Sequence, residues 1–280
     1  MKKILITGKN SYVGTSLERW LGNYPDRYSI DSTSLRNDSW KKIDFSEYDV
    51  VIHVAGIAHI KETKVNANLY YKVNRDLAYE VAQKAKADGV KQFIFLSSMS
   101  IYGIKSGVID KHSPPQPKSN YGKSKLQAEE LISSLEENSF RVAILRPPMI
   151  YGKGCKGNYT KLANLAIKTP IFPNLDNKRS MIFIDNLSEF IRLLIDDTKS
   201  GLFHPQNKEY VCTSEMVEMI AELHGTNIKM TKVFNAFLKF IPINTVKKVF
   251  GDLVYDKKMD DYENRYIVYD FKTSIKLTEK

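Results

Sequence analysis

Cysteine is nearly absent from this 280-residue chain: only Cys155 and Cys212 occur, far apart. They cannot build a disulfide framework or a Cys-x-x-Cys site, and a reducing compartment is the simpler expectation. Long apolar runs are missing too. No uncharged stretch reaches 18 residues, so neither a transmembrane helix nor stable membrane insertion is expected. The first apolar run begins at Ile4, which leaves no room for a signal peptide, and a cytoplasmic location is expected. His53 and His59 have no carboxylate or cysteine at zinc spacing, so no metal is expected. The formal charge is +10. Its lysines are spread over the whole chain, without an Arg-rich helix or a Cys/His finger. That argues against nucleic acid as a partner and leaves room for a phosphorylated small substrate.

The chain does carry an alternation of short apolar runs and amphipathic segments. Lys2 to Thr7 holds Ile4-Leu5-Ile6 and reads as a buried strand. Gly8-Lys9-Asn10-Ser11-Tyr12-Val13-Gly14 comes next, then helical spacing from Thr15 to Leu21. A strand, a glycine turn and a helix make an anion site, because the helix's unbonded N–H groups and dipole point at the turn. Gly8 supplies the turn and Gly14 lets the helix approach the strand. The middle glycine of a dinucleotide turn is replaced by Ser11. Tyr28 to Asp31 reads as the next strand, ending in an acid about 20 residues beyond the turn, where a ribose-binding carboxylate sits in dinucleotide folds. Asp31 favours NAD over NADP, although Arg36 nearby keeps the 2′-phosphate open. Asp49 to Gly56 reads as a third strand, whose small end residues Ala55 and Gly56 permit close approach of a cofactor.

Asn66 to Gly89 reads as one long helix with Leu77, Val81 and Ala85 as its apolar stripe. Asn74, early in it, needs partners if it is buried. Phe93 to Leu96 reads as a strand, with Ser97-Ser98-Met99-Ser100-Ile101-Tyr102-Gly103 at its carboxyl end. Tyr121-Gly122-Lys123-Ser124-Lys125 opens a helix running to about Asn138. The spacing puts Tyr121 and Lys125 on one helix face. A phenol of pKa about 10 is a poor base at neutral pH, and an ammonium beside it stabilises the phenolate. A serine hydroxyl from the strand end can hold a substrate oxygen while the pair moves its proton and a nicotinamide moves hydride. Val142 to Leu145 completes the doubly wound α/β pattern. From Lys153 the pattern loosens: a helix from Asn158, a short strand at Lys178–Asp185, a helix from Asn186 to Asp196 and another from Thr213 to Leu223. Lys229 to Lys258 mixes lysines with Phe234, Phe237, Leu238, Phe240, Ile241, Val246, Val249 and Phe250. It is read as packing of a small lobe rather than a membrane surface. No motif is found in the tail from Tyr262 to Lys280.

With Thr7-Gly8…Gly14, His53-Val54-Ala55-Gly56, Asn74, Ser97-Ser98…Tyr102-Gly103, Tyr121…Lys125, Leu145-Arg146-Pro147…Tyr151-Gly152 and Arg179…Phe183-Ile184-Asp185-Asn186 in this order, the chain resembles the extended short-chain dehydrogenase/reductase family. The resemblance is to the nucleotide-sugar epimerase/dehydratase branch and covers about Met1 to Gly225. The resemblance implies a Rossmann-like parallel sheet over residues 1–152, with later segments able to return to it, and mainly a substrate-binding lobe over 153–280. It implies Ser98, Tyr121 and Lys125 as catalytic residues. It implies NAD, with NADP as an option, bound by Gly8, Ser11, Tyr12, Val13, Gly14, Asp31, Ala55, Gly56, Asn74, Tyr121, Lys125 and Pro147. It implies a nucleotide-diphosphate sugar on Ser98, Ser100, Tyr121, Tyr151 and Arg179, and a homodimer through the two long helices.

Met99-Ser100 stand where dehydratases of the family carry an Asp-Glu pair, which argues against water elimination. The lead expectation is an NAD-dependent 4-epimerase of a UDP-hexose, working by transient oxidation at C4. The alternative is an NAD(P)H-dependent reductase of a nucleotide-4-keto-sugar, towards which the short C-terminal lobe leans. A dinucleotide-sensing or scaffold protein is disfavoured because Ser98, Tyr121 and Lys125 are all present.

Overall fold

The apolar runs become strands that are buried on both faces, which is the pattern a sheet covered by helices requires. In the computed structural model, residues 1–280 are described except 59, 61, 234–250 and 260–261. His59 and the eight apolar residues from Phe234 to Phe250 named above lie outside the described residues. The strands are β1 Lys2–Thr7, β2 Tyr28–Thr33, β3 Val50–His53, β4 Gln92–Leu96, β5 Gly107–Ile109, β6 Arg141–Leu145, β7 Met149–Tyr151, β8 Ile171–Pro173, β9 Met181–Phe183, β10 Gly201–Phe203, β11 Lys229–Thr231 and β12 Leu253–Tyr255. The described helices are α1 Tyr12–Leu21, α2 Ala67–Tyr71, α3 Leu77–Ala87, α4 Asn120–Ser133, α5 Asn158–Lys168, α6 Ile184–Asp197, α7 Thr213–Leu223 and α8 Phe271–Glu279.

Two compact units share the chain. The first comprises Met1–Gly103, Pro115–Pro147 and Leu187–Pro205. Its sheet has the order β10-β6-β4-β3-β1-β2, parallel at every pairing. The chain winds outwards from β1 in both directions, so the order reverses between β1 and β3. The loops leaving these two strands therefore open a crevice at the carboxyl edge, where parallel sheets bind ligands. On one face of the sheet, Val81 and Ala85 of α3 and Ala128 and Ile132 of α4 pack against Phe93, Phe95 and Phe140. Each such aromatic contributes about 1.5–3 kcal/mol by leaving water. Leu77, the first residue of the expected stripe, packs at the margin of this cluster. The segment expected as one helix is interrupted by a π turn over Lys72–Asp76 that joins α2 to α3.

His53 ends β3 and is fully buried beside Phe93 and Phe95, its Nδ1 2.9 Å from Thr7 Oγ1. Burial, with the nearby Lys125 charge, pulls its pKa from 6.5 down to about 3. The unfolded chain therefore binds one more proton than the folded chain between these values, and stability is lost as pH falls below 6.5. At about pH 5 the loss through His53 is about 2 kcal/mol, by the linkage of proton binding to folding. Urea unfolding at about pH 7.5 and pH 5 checks this. The difference between the two pH values should shrink by that amount in His53→Leu; an unchanged difference would refute it.

The second unit comprises Ile104–Pro114, Pro148–Asn186 and Gln206–Lys280. Three parallel strand pairs, β5 with β12, β7 with β9 and β8 with β11, carry it. Tyr151 is fully buried here, stacked 5.5 Å from Tyr159, and its hydroxyl meets Ser274 Oγ at 2.6 Å and Asn207 Nδ2 at 2.9 Å. The helix expected from Asn186 begins at Ile184. Asn186 accordingly sits inside the first turn and ties the backbone of Val268 and Tyr269 through three hydrogen bonds. Cys212 stands at the N-cap of α7, and Thr213 is its first residue. Helix α8 has a cap at Asp270, whose side chain accepts from Thr273 N at 2.7 Å.

Candidate active site

The glycine turn begins the site. Gly8 has φ of +123°, and a Cβ there would lie 2.9 Å from Ala55 N, so only glycine lets the end of β1 approach the loop after β3. Ser11, at the missing glycine's place, is the N-cap of α1: its Oγ accepts from Gly14 N at 3.1 Å. The serine therefore takes over one unbonded helix N–H, and its hydroxyl proton remains available as a donor. Tyr12 and Val13 form the first turn of α1 beside it.

At the loop after β3, Gly56 is exposed. A Cβ on it would lie 3.0 Å from Asn74 Oδ1 and 3.3 Å from Lys125 Nζ, which fixes both groups at this point. Asn74, fully buried in the π turn, accepts from Ile57 N at 2.9 Å and donates to Ile57 O at 3.1 Å and Ser124 Oγ at 3.2 Å. It clamps the β3 loop to the start of α4. Lys125 is buried, donates to Leu96 O at 2.8 Å and lies over the Phe95 ring. Burial pulls its pKa down to about 8, against the opposing charge of Glu129, so the ammonium form still predominates at neutral pH.

Beyond β4 the backbone separates three serines. Ser97 N donates to Leu145 O at 2.7 Å, and Ser97 is buried. Ser98 caps a short 3₁₀ turn over Met99–Tyr102, accepting from Ser100 N at 3.2 Å and Ser100 Oγ at 3.0 Å. Ser98 is the serine whose hydroxyl acts on the Tyr121 phenol, drawing its pKa downwards. Burial raises the Tyr121 pKa above its ordinary value, and the neighbouring Ser98 hydroxyl opposes that rise. Glu62, which the sequence did not single out, accepts from Asn120 N at 3.1 Å and Tyr121 N at 3.0 Å. A carboxylate there suits the positive end of α4, and it fixes the backbone that carries Tyr121.

Among the expected site residues, the structure brings Gly8, Ser11, Ala55, Gly56, Asn74, Ser98, Ser100, Tyr121 and Lys125 to the carboxyl edge of the first unit's sheet. Pro147 ends the middle segment of that unit and is buried, its carbonyl accepting from Met99 N at 2.9 Å. Asp31 is placed differently from its expected position. Strand β2 runs two residues past it to Thr33, so Asp31 pairs with Leu5, three residues before Gly8, and accepts from Tyr48 Oη at 3.0 Å. Tyr151 and Arg179 belong to the second unit. Arg179 bridges Val211 and Leu253 through its backbone and donates from Nη1 to Gly251 O at 2.8 Å.

A cavity of about 1500 Å³ runs along the edge of the first unit, lined by Gly8 to Ser11, Ser34 to Arg36 and Ala55 to Ile57 among others. Small-molecule sites are usually about 300–1,000 Å³, so an extended ligand fits this one. The glycine at the strand end, the helix N-terminus and the polar wall fit a dinucleotide.

Residues 4–212 match the NAD dependent epimerase/dehydratase family. The chain belongs to that family. It is an enzyme of the extended short-chain dehydrogenase/reductase type. One relative of this family member is a UDP-glucose 4-epimerase of Vibrio cholerae, 31% identical over 249 residues, covering 79% of this chain and 75% of that one. Two solved structures share the fold at lower identity. A UDP-glucuronic acid 4-epimerase from Bacillus cereus, in complex with NAD, gives a TM-score of 0.77 at 18% identity, covering 99% of this chain and 97% of that one. A dTDP-4-dehydrorhamnose reductase from Clostridium acetobutylicum gives 0.75 at 20% identity, covering 98% and 97%. Among the described residues, no helix of this family member is long and apolar enough to cross a membrane, and no group of three or more His, Cys, Asp or Glu could hold a metal.

Proposed function

We propose that the chain is a 4-epimerase of a UDP-hexose, acting by transient oxidation at C4. The observation that carries this is that Ser98, Tyr121 and Lys125 stand together at the carboxyl edge of the sheet that also bears the glycine turn, with Lys125 Nζ beside Gly56. The similarity to a UDP-glucose 4-epimerase over three quarters of that relative's length supports the choice of reaction. The bound nicotinamide would accept the C4 hydride and later give it back to the other face. Tyr121 would take the C4 hydroxyl proton as the hydride departs and return it when the ketone is reduced. Ser98, with Ser100 behind it, would hold the C4 oxygen. The Lys125 ammonium would stabilise the Tyr121 phenolate and hold the nicotinamide ribose. Gly8, Ser11, Tyr12, Val13, Gly14, Ala55, Gly56, Asn74 and Pro147 would line the cofactor. In the second unit, Arg179 has one of five N–H donors taken by Gly251 O, and the others suit a diphosphate. A homodimer in the cytoplasm is the proposed setting.

A second reading, reduction of a nucleotide-4-keto-sugar by an exchangeable NAD(P)H, is favoured by the position of Asp31. Its pairing with Leu5 and its bond from Tyr48 remove the carboxylate that argued for NAD from the end of β2. Both readings use the same three side chains and differ in the net electron balance. Incubating the enzyme with UDP- and dTDP-sugars, with and without NADH or NADPH, separates them. Epimerisation without added reductant is the expected result. Turnover only of 4-keto sugars, with one reductant consumed per product, establishes the second reading, and no turnover of either kind refutes both.

A further inference from the structure

The end of β2 lies against the glycine turn: Gly8 N and Lys9 N both donate to Thr33 O, at 2.9 and 3.0 Å. The residue standing where a ribose-binding acid would stand is therefore Thr33, which pairs with Thr7. Asp31 is on the same side of the strand but three residues short of the turn, about 10 Å at the rise of a strand. The next carboxylate along the chain is Asp38. Between them the strand end leads into Ser34-Leu35-Arg36, all on the cavity wall, with Ser34 Oγ accepting from Arg36 N at 3.4 Å.

The charges of the wall divide into groups held in ion pairs and groups outside them. Lys41 is held by Glu80 at 2.6 Å and by Asp38 at 3.3 Å, and Arg75 by Asp76 at 2.7 Å. The three carboxylates of the cavity wall are thus all held in ion pairs, Asp38 and Glu80 sharing Lys41. Arg36, which is exposed, and Lys9 flank the end of β2 with no ion pair among the described residues. An unphosphorylated ribose offers two hydroxyls, which call for an acceptor such as a carboxylate. A ribose 2′-phosphate offers acceptor oxygens and negative charge, which call for a guanidinium and tolerate no carboxylate.

We infer that this chain prefers a 2′-phosphorylated dinucleotide, NADP(H), with Arg36 as the ligand of the 2′-phosphate and Lys9 as the second cation. The inference rests on the reading of the cavity as a dinucleotide site and holds for either direction of the proposed chemistry.

Calorimetric titration of the full chain with NADP⁺, NAD⁺ and adenosine 2′,5′-bisphosphate tests it without turnover. NADP⁺ should bind at least about tenfold tighter than NAD⁺. Arg36→Ala should weaken NADP⁺ and the bisphosphate by roughly 10- to 100-fold and NAD⁺ by under about threefold, the scale of a charge-assisted hydrogen bond. Thr33→Asp, which restores an acid at the strand end, should weaken NADP⁺ and spare NAD⁺. Equal or tighter binding of NAD⁺ by the unaltered chain overturns the inference while leaving the dinucleotide site intact, and so does an equal loss for both in Arg36→Ala. Binding of neither dinucleotide overturns the proposed function as well.

Discussion

Tyr121→Phe is expected to lower turnover by about 10²–10⁴-fold, the range for removal of a positioned acid-base group. Burial holds the Tyr121 phenol above its ordinary pKa. A high pKa makes a weak acid, so the proton moves only if the phenolate is stabilised where it forms. In the proposed mechanism Lys125 would supply that charge from four residues along the same helix. Phenylalanine keeps the ring and its packing, so dinucleotide affinity and unfolding midpoint should stay near those of the parent. The measurement is kcat on the substrate found in the sugar panel, beside a cofactor titration of the same preparation. Loss of under about tenfold in kcat, with the cofactor bound, would remove Tyr121 from the chemistry.

The first unit was legible because its signals are local. Ile4-Leu5-Ile6, Val50–Ile52 and Phe93–Phe95 are apolar without alternation, and each became an inner strand of a parallel sheet. Tyr121 and Lys125 sit four apart on α4 as their spacing requires. Asn74 needed partners if buried, and it found them in Ile57 and Ser124. The π turn around it left no mark in the sequence, since the extra residue of such a bulge changes no residue type that periodicity reports.

The misplacement of Asp31 has a plain cause. Ser32 and Thr33 are as compatible with a strand as with its end, so β2's length was set by its pairing with Ile6 and Thr7. Glu62 was invisible for another reason: it meets Tyr121 N across 59 positions, and no periodicity reports such a contact. Ser11 lay between these cases. Its capping bond to Gly14 N is a local interaction between residues three apart, the spacing expected of an N-cap serine. The C-terminal α8 carried the same signal at Asp270 and Thr273, within a tail that had no motif to recommend it.

The largest expected loss of stability comes from Glu129→Ala. Glu129 lies one turn beyond Lys125 on α4, with its side chain 5% exposed, facing Arg146 at 9%. Arg146 Nε donates to both carboxylate oxygens at 3.1 Å and Nη2 to Oε2 at 2.6 Å, while Nη1 donates to Tyr102 Oη at 2.8 Å. Alanine would leave the guanidinium buried without its counter-charge, at a cost of about 3–5 kcal/mol. That is a large part of the roughly 5–15 kcal/mol that holds a domain folded. The same carboxylate opposes the fall of the Lys125 pKa, so its removal should also move the alkaline limit of activity to lower pH. Urea unfolding reads the first effect and a pH–rate profile the second. Glu129→Met with Arg146→Met together should recover most of the stability, because apolar side chains of similar size need no counter-charge. It should not restore the alkaline limit, because Lys125 would still lack its carboxylate. A single variant within about 1 kcal/mol of the parent would mean that water reaches Arg146 and that the pair contributes no more than a surface ion pair does.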